Sequence, residues 1–225
     1  MPVFLVGELS GRGATREARL VEKSGFLDDV YSRMHEGKDD EALLVYRNEK
    51  ADLKSYSKIM IYPGTVWAEN DSQLEYVSSL DRQRLANDLR GKLNDALKAD
   101  YEIVHEPGPS VMLFKVAITE GESSWPVVDT ISTIVPPIHV LSELKCLVTG
   151  TASFVGKASG EIKVTDGKTG ELLWAAADRR AGGKRLQGVT TSWDDVEEAY
   201  RYWAEKIRWR LCELRGGKDC VEPNS

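Results

Sequence analysis

Histidine is scarce in this chain, with three in 225 residues: His35, His105 and His139. They fall in a polar N-terminal stretch, a turn and a polar helical segment, so they do not assemble a nucleophile, a base and an orienting group. No Gly-x-Ser-x-Gly elbow is present either. Long hydrophobic runs are also missing. No apolar stretch approaches the ~18 residues needed to cross a bilayer. The opening Met-Pro-Val-Phe-Leu-Val is too short for a secretion signal and has no basic flank.

A basic surplus is lacking as well. Thirty Lys and Arg face 36 Asp and Glu, a net charge of −6 with a pI near 5.3, which argues against nucleic acid as a partner. Cysteine is limited to Cys146, Cys212 and Cys220. Cys146, between Lys145 and Leu147, reads as a small core residue. Cys212 and Cys220 enclose a short segment and would pair in an oxidising compartment.

What remains is an ordinary globular composition, 41% hydrophobic and 29% charged, in a chain long enough for one self-sufficient core. Residues 1–40 are polar and weakly patterned, which suggests a tether with one anchoring patch at 25–31, Gly25-Phe26-Leu27 followed by Tyr31. A single domain is expected over 41–216, and 217–225 reads as a tail.

Two helices are legible. Leu85, Leu89, Leu93 and Leu97 repeat every four residues, predicting a helix over 80–98 with Ser79 as its cap. Val196, Ala199, Tyr200, Trp203, Ile207, Leu211 and Leu214 form a second stripe, over 193–215, ended by Gly216-Gly217. Strands are expected at 43–46, at 56–62 continuing past a bend at Pro63-Gly64 into 65–67, at 102–104 and at 111–119. The turn His105-Glu106-Pro107-Gly108-Pro109 favours pairing of the last two.

The segment 158–184 reads as a long hairpin. Ala158, Gly160, Ile162 and Val164 alternate with Ser159, Glu161, Lys163 and Thr165, one face buried and one wet. In the return strand Leu172, Trp174 and Ala176 would share one face. Leu173, Ala175 and Ala177 would line the other, small enough for something to pack closely. Gly170 suits the left-handed position of the turn. The fold class is therefore α+β, a mainly antiparallel sheet packed by two long helices in a two-layer sandwich.

Candidate chemistry is thin. Gly150 to Ala158 is not a phosphate loop: the glycine spacing is wrong, Ala158 stands where Ser or Thr would hold the metal, and a strand follows. His139, Glu143 and Cys146 would share one face of a helix over 138–147, but no second segment supplies further ligands, so no metal and no cofactor are expected. Arg179, Arg180, Lys184 and Arg185 leave the hairpin as a basic, glycine-containing run. Arginine forks there suit a carboxylate, a phosphate or a lipid headgroup.

Several phrases together resemble a bacterial envelope lipoprotein family known only as domain of unknown function 3313. They include Ser24-Gly25-Phe26-Leu27, Leu44-Val45-Tyr46, Tyr56 to Pro63, Pro107-Gly108-Pro109, Asp166 to Leu173, Asp178 to Lys184 and Trp203-Ala204-Glu205. The resemblance runs from about residue 24 to residue 214. It implies export, residence in the periplasm in association with the outer membrane, and no established catalytic residues. No cysteine or lipobox precedes Cys146, so membrane attachment is expected only through a lipid anchor outside this sequence.

The resulting expectation is a non-enzymatic envelope module binding a protein, a cell-wall component or a lipid. The alternative is a periplasmic small-molecule-binding or hydrolytic domain with a cleft near 121–157.

Overall fold

Three long neighbouring strands set the geometry of the molecule. The computed structural model describes residues 23–38, 40–68, 74, 77–122, 157–181 and 194–223. In chain order the strands are β1 (His35–Glu36), β2 (Leu44–Arg47), β3 (Lys58–Ile61), β4 (Thr65–Val66), β5 (Glu102–Ile103), β6 (Val111–Glu122), β7 (Lys157–Asp166) and β8 (Leu172–Ala181). The helices are α1 (Ser79–Leu97) and α2 (Asp194–Leu214). One sheet forms in the order β1-β2-β8-β7-β6-β3-β5, with β4 also paired to β6.

Pairing is antiparallel from β1 through to β6, and β3, β4 and β5 join in parallel at the other end. β3 and β4 behave as one strand bent at Pro63-Gly64, lying in turn against the first and second halves of β6. The turn at 105–109 does not close a hairpin, contrary to the expectation from sequence. β3 lies between β5 and β6, parallel to both. Pro107 and Pro109 remove donors that a tight hairpin would use, while β3, buried at Ile59 and Ile61, gains hydrogen-bonding neighbours on both edges.

Both helices pack on one face of the sheet. Leu85, Leu89, Leu93 and Leu97 of α1 meet Ile59, Ile61 and Phe114; Val196, Tyr200, Ile207 and Leu211 of α2 join the same core. The cap of α1 is Ser78, one residue earlier than expected, whose hydroxyl accepts from the Asp81 amide at 3.1 Å.

The β7–β8 turn follows from Asp166. Its Oδ1 accepts from the Lys168 and Thr169 amides and from the Thr169 hydroxyl, and Gly170 takes a φ of +74°. Strict alternation fails in β8. The register slips between Val164 and Thr165, leaving Leu173 as an extra residue. Leu173 therefore joins Trp174 and Ala176 on the helix side, whereas Leu172 joins Ala175 and Ala177 on the opposite face.

That opposite face is covered in part by residues 24–34, hereafter the strap. Leu27 and Val30 are buried against Leu172, Ala175 and Ala177, with Leu44 and Tyr46 alongside. The alanines leave a shallow trough, and filling it with a Leu and a Val contributes roughly 1.5–3 kcal/mol for each side chain as an upper bound. The strap and β1, which pairs with β2, thus lie within the stretch expected to be a tether. The tail is pinned as well, by a Cys212–Cys220 disulfide and by Lys206 to Glu222 at 3.1 Å.

Candidate functional site

The polar side of β7, expected to be wet, is buried at Ser159 and Glu161 and only half-covered at Lys163 and Thr165. Glu161 is 3% exposed and Ser159 is also buried. Each lies under a partner brought from far away in sequence. The Tyr31 hydroxyl donates to Glu161 Oε2 at 2.7 Å and the Ser24 hydroxyl donates to the same oxygen at 3.0 Å. The Gly25 amide donates to the Tyr31 oxygen at 3.1 Å, and the Phe26 amide to the Ser24 oxygen at 3.1 Å. The start of the strap is thus a small polar clasp closed around one carboxylate. Burial pushes the Glu161 pKa up, and the bonds from Tyr31 and Ser24 hold it partly down.

One row further along the same face, Arg179 donates to Glu120 Oε1 at 2.6 Å while Ser159 donates to Glu120 Oε2 at 2.8 Å. Arg179 and Arg180 sit in β8 rather than on a loop beyond it, and adjacent strand residues point to opposite faces. Arg180 lies on the helix side, its guanidinium carbon 3.5 Å from the centre of the Tyr202 ring. The two arginines therefore cannot close on one anion as a single fork. Lys184 and Arg185 lie outside the described residues, as do His139, Glu143 and the stretch 123–156 that would line the alternative cleft.

Asp178 is committed too. It accepts from Trp203 Nε1 at 2.7 Å and from the Leu43 amide at 3.3 Å, and burial raises its pKa. Trp203 in turn lies on Gly160, where a Cβ would come within 2.9 Å of the indole. Between α2 and the sheet, a void lined by Leu53, Met112, Val164, Leu173, Ile207 and Leu211 holds about 10 Å³. That is room for roughly one water, against the ≈ 300 Å³ at which ligand pockets begin. Among the described residues no group of three His, Cys, Asp or Glu could hold a metal ion, and no helix is long and apolar enough to cross a membrane.

Sequence reasoning did not single out Ser24, Glu120, Ser159 or Glu161. The available signal was the small face of Ala175 and Ala177, which required a covering element without saying which one.

Several solved structures have a similar outline. PelC from Paraburkholderia phytofirmans, described as a dodecamer, is 10% identical with a TM-score of 0.42, over 78% of this chain and 98% of that one. The hypothetical protein CT253 from Chlamydia trachomatis is 8% identical with a TM-score of 0.41, over 70% and 99%. Lipoprotein GNA1162 from Neisseria meningitidis is 10% identical with a TM-score of 0.30, over 64% and 91%. No curated protein matches the chain. The family model of DUF3313, a protein family of unknown function, matches residues 22–207, and the chain belongs to that family.

Proposed function

We propose that this chain is an exported module of the bacterial cell envelope, without catalytic activity, that binds a protein, cell-wall or lipid component there. The observation that carries the reading is the Cys212–Cys220 disulfide, with Cα atoms 5.6 Å apart across a separation of eight residues. Such bonds persist in oxidising spaces such as the periplasm and are rare in the reducing cytosol of mesophilic cells. Further support comes from the buried carboxylates. Glu161 and Asp178 are consumed in holding distant segments together, an arrangement suited to a rigid binding scaffold. In this reading the basic run from Arg179 to Arg185 contributes to the contact through Arg180, which makes no ion pair among the described residues and rests on Tyr202.

Cell fractionation combined with the intact mass of the native protein tests the proposal. Recovery from the envelope fraction supports it, and recovery of reduced protein from the cytosol overturns it. Arg180→Glu tests the contact: unchanged partners in crosslinking would remove Arg180 from it.

A further inference from the structure

Lys115 of β6 and Lys163 of β7 are direct register partners on the same face as the strap. Like charges placed opposite each other on a sheet repel, so this pairing costs stability in the isolated protein. No described carboxylate relieves it. Among the described residues Lys163 makes no ion pair, and the only partner of Lys115 is the Tyr62 ring, 5.2 Å from its Nζ. The neighbouring acids on this face are engaged elsewhere: Glu102 with Lys58 at 3.3 Å, Glu120 with Arg179, and Glu161 with Tyr31 and Ser24.

The row continues past the pair in both directions. Lys163 adjoins Ala175, which adjoins Tyr46, and Arg33 of the strap stacks on the Tyr46 ring at 4.3 Å. Beside the lysines, Leu113 and Met60 are register partners on the same face and only half-buried. Nothing among the described residues covers this half of the face. The strap contributes two exposed acids, Asp28 and Asp29, and two basic residues, Lys23 and Arg33. In a chain of net charge −6 this is a locally cationic, part-apolar surface.

The direction of the chain indicates its occupant. Residues 1–22 precede the strap, whose clasp at Ser24 is fastened on this same face. An attachment through the N-terminus would therefore leave from the side that carries the lysines. We propose that the uncovered half of this face, centred on Lys115 and Lys163, docks on an anionic lipid surface, with phosphate headgroups between the two ammonium groups and Leu113 and Tyr62 against the interface. The inference rests on the envelope reading and adds to it a lipid contact on the face opposite Arg180. The helix layer, where Asp81 pairs with Arg84, Asp88 with Lys92, and Arg201 with Glu198 and Glu205, faces away.

The test is co-sedimentation of the full chain with phosphatidylcholine vesicles, with and without phosphatidylglycerol. The wild type should bind the phosphatidylglycerol vesicles, leave the neutral ones, and release as salt is raised. Lys115→Glu with Lys163→Glu should weaken partitioning by more than about tenfold, at unchanged circular dichroism. Arg84→Glu on α1 with Lys98→Glu at its C-terminal cap, the same charge change on the helix layer, should not. The inference is overturned by equal binding to both vesicles, by indifference to the Lys115 and Lys163 reversal, or by equal loss in the α1 variant. Capture on immobilised polyglutamate without vesicle binding would reassign the face to an acidic protein and also overturn it. Envelope fractionation is read independently, so a chain found in the envelope yet indifferent to phosphatidylglycerol ends this inference alone.

Discussion

The Tyr31 hydroxyl reaches Glu161 at 2.7 Å across 130 residues of sequence, closing the N-terminal strap over the central strand of the sheet, fourth from either edge. The bond explains why a glutamate tolerates burial there. Three donors from one short segment replace the water it loses.

Removing that donor should loosen the strap first. Tyr31→Phe leaves the carboxylate with Ser24 alone, at an expected cost of about 1.5–3 kcal/mol, the range for a hydrogen bond to a charged group. Hydrogen exchange should rise at residues 24–34 while α1 and α2 stay protected. Uniform loss of protection across the chain would show that the strap is not a separable unit.

Glu161 also sets a pH response. Its folded pKa is raised above the ordinary 4.5 by burial, so the ionised form costs stability. The contribution of this group therefore grows as pH falls through its raised folded pKa toward 4.5. Glu161→Gln keeps an acceptor and removes the charge. Denaturant titrations should show that this variant loses the pH slope in that window, whereas Glu161→Ala is destabilised throughout.

Asp166 acts in the opposite sense. Partial burial pushes its pKa up, but bonds from Tyr56, Thr169 and Lys168 outweigh that and hold it at about 2, below the ordinary 3.8. The stabilisation it contributes is complete above about 3.8 and is lost as pH falls toward 2. Asp166→Ala should lower stability at neutral pH by about 1–2 kcal/mol and flatten the acid limb of the stability curve. An acid limb identical to the wild type would remove Asp166 from it.

Gly160 is the tightest point between sheet and helix. A Cβ there would stand 2.9 Å from Trp203 Cζ3. Gly160→Ala should cost about 1–3 kcal/mol by overpacking and shift the Trp203 emission as its bond to Asp178 lengthens. A stable variant with unchanged fluorescence would mean that the indole has room to move.

The two helices and the β7–β8 hairpin were legible because their signals are local. A four-residue leucine repeat and an Asp-Gly-Lys-Thr-Gly turn need no distant partner to be read. What was missed depends on contacts remote in sequence. Ser159 and Glu161 look solvent-facing until Ser24, Tyr31 and Arg179 arrive from 20 to 137 residues away. The pairing of β5 with β3 likewise depends on which neighbour β3 recruits, which the 105–109 turn does not encode. Nor does alternation reveal the extra residue Leu173, since a one-residue slip reverses every inference about faces before it. The four-residue basic cluster was conspicuous in sequence, but β8 continues through Arg179 and Arg180 and separates them.

The disulfide closes a short loop and fastens the tail to α2. By loop entropy it should contribute about 2.5 kcal/mol, so Cys212→Ser should melt at lower temperature and free the residues that include Glu222.

The most direct test of the account as a whole is the redox state of Cys212 and Cys220 in unbroken native cells. Thiols would be trapped with a membrane-permeant alkylating agent before lysis, and the protein weighed intact. An exported envelope module predicts that neither cysteine is alkylated until a reductant is added. Alkylation of both without reductant would place the chain in a reducing compartment and contradict the account.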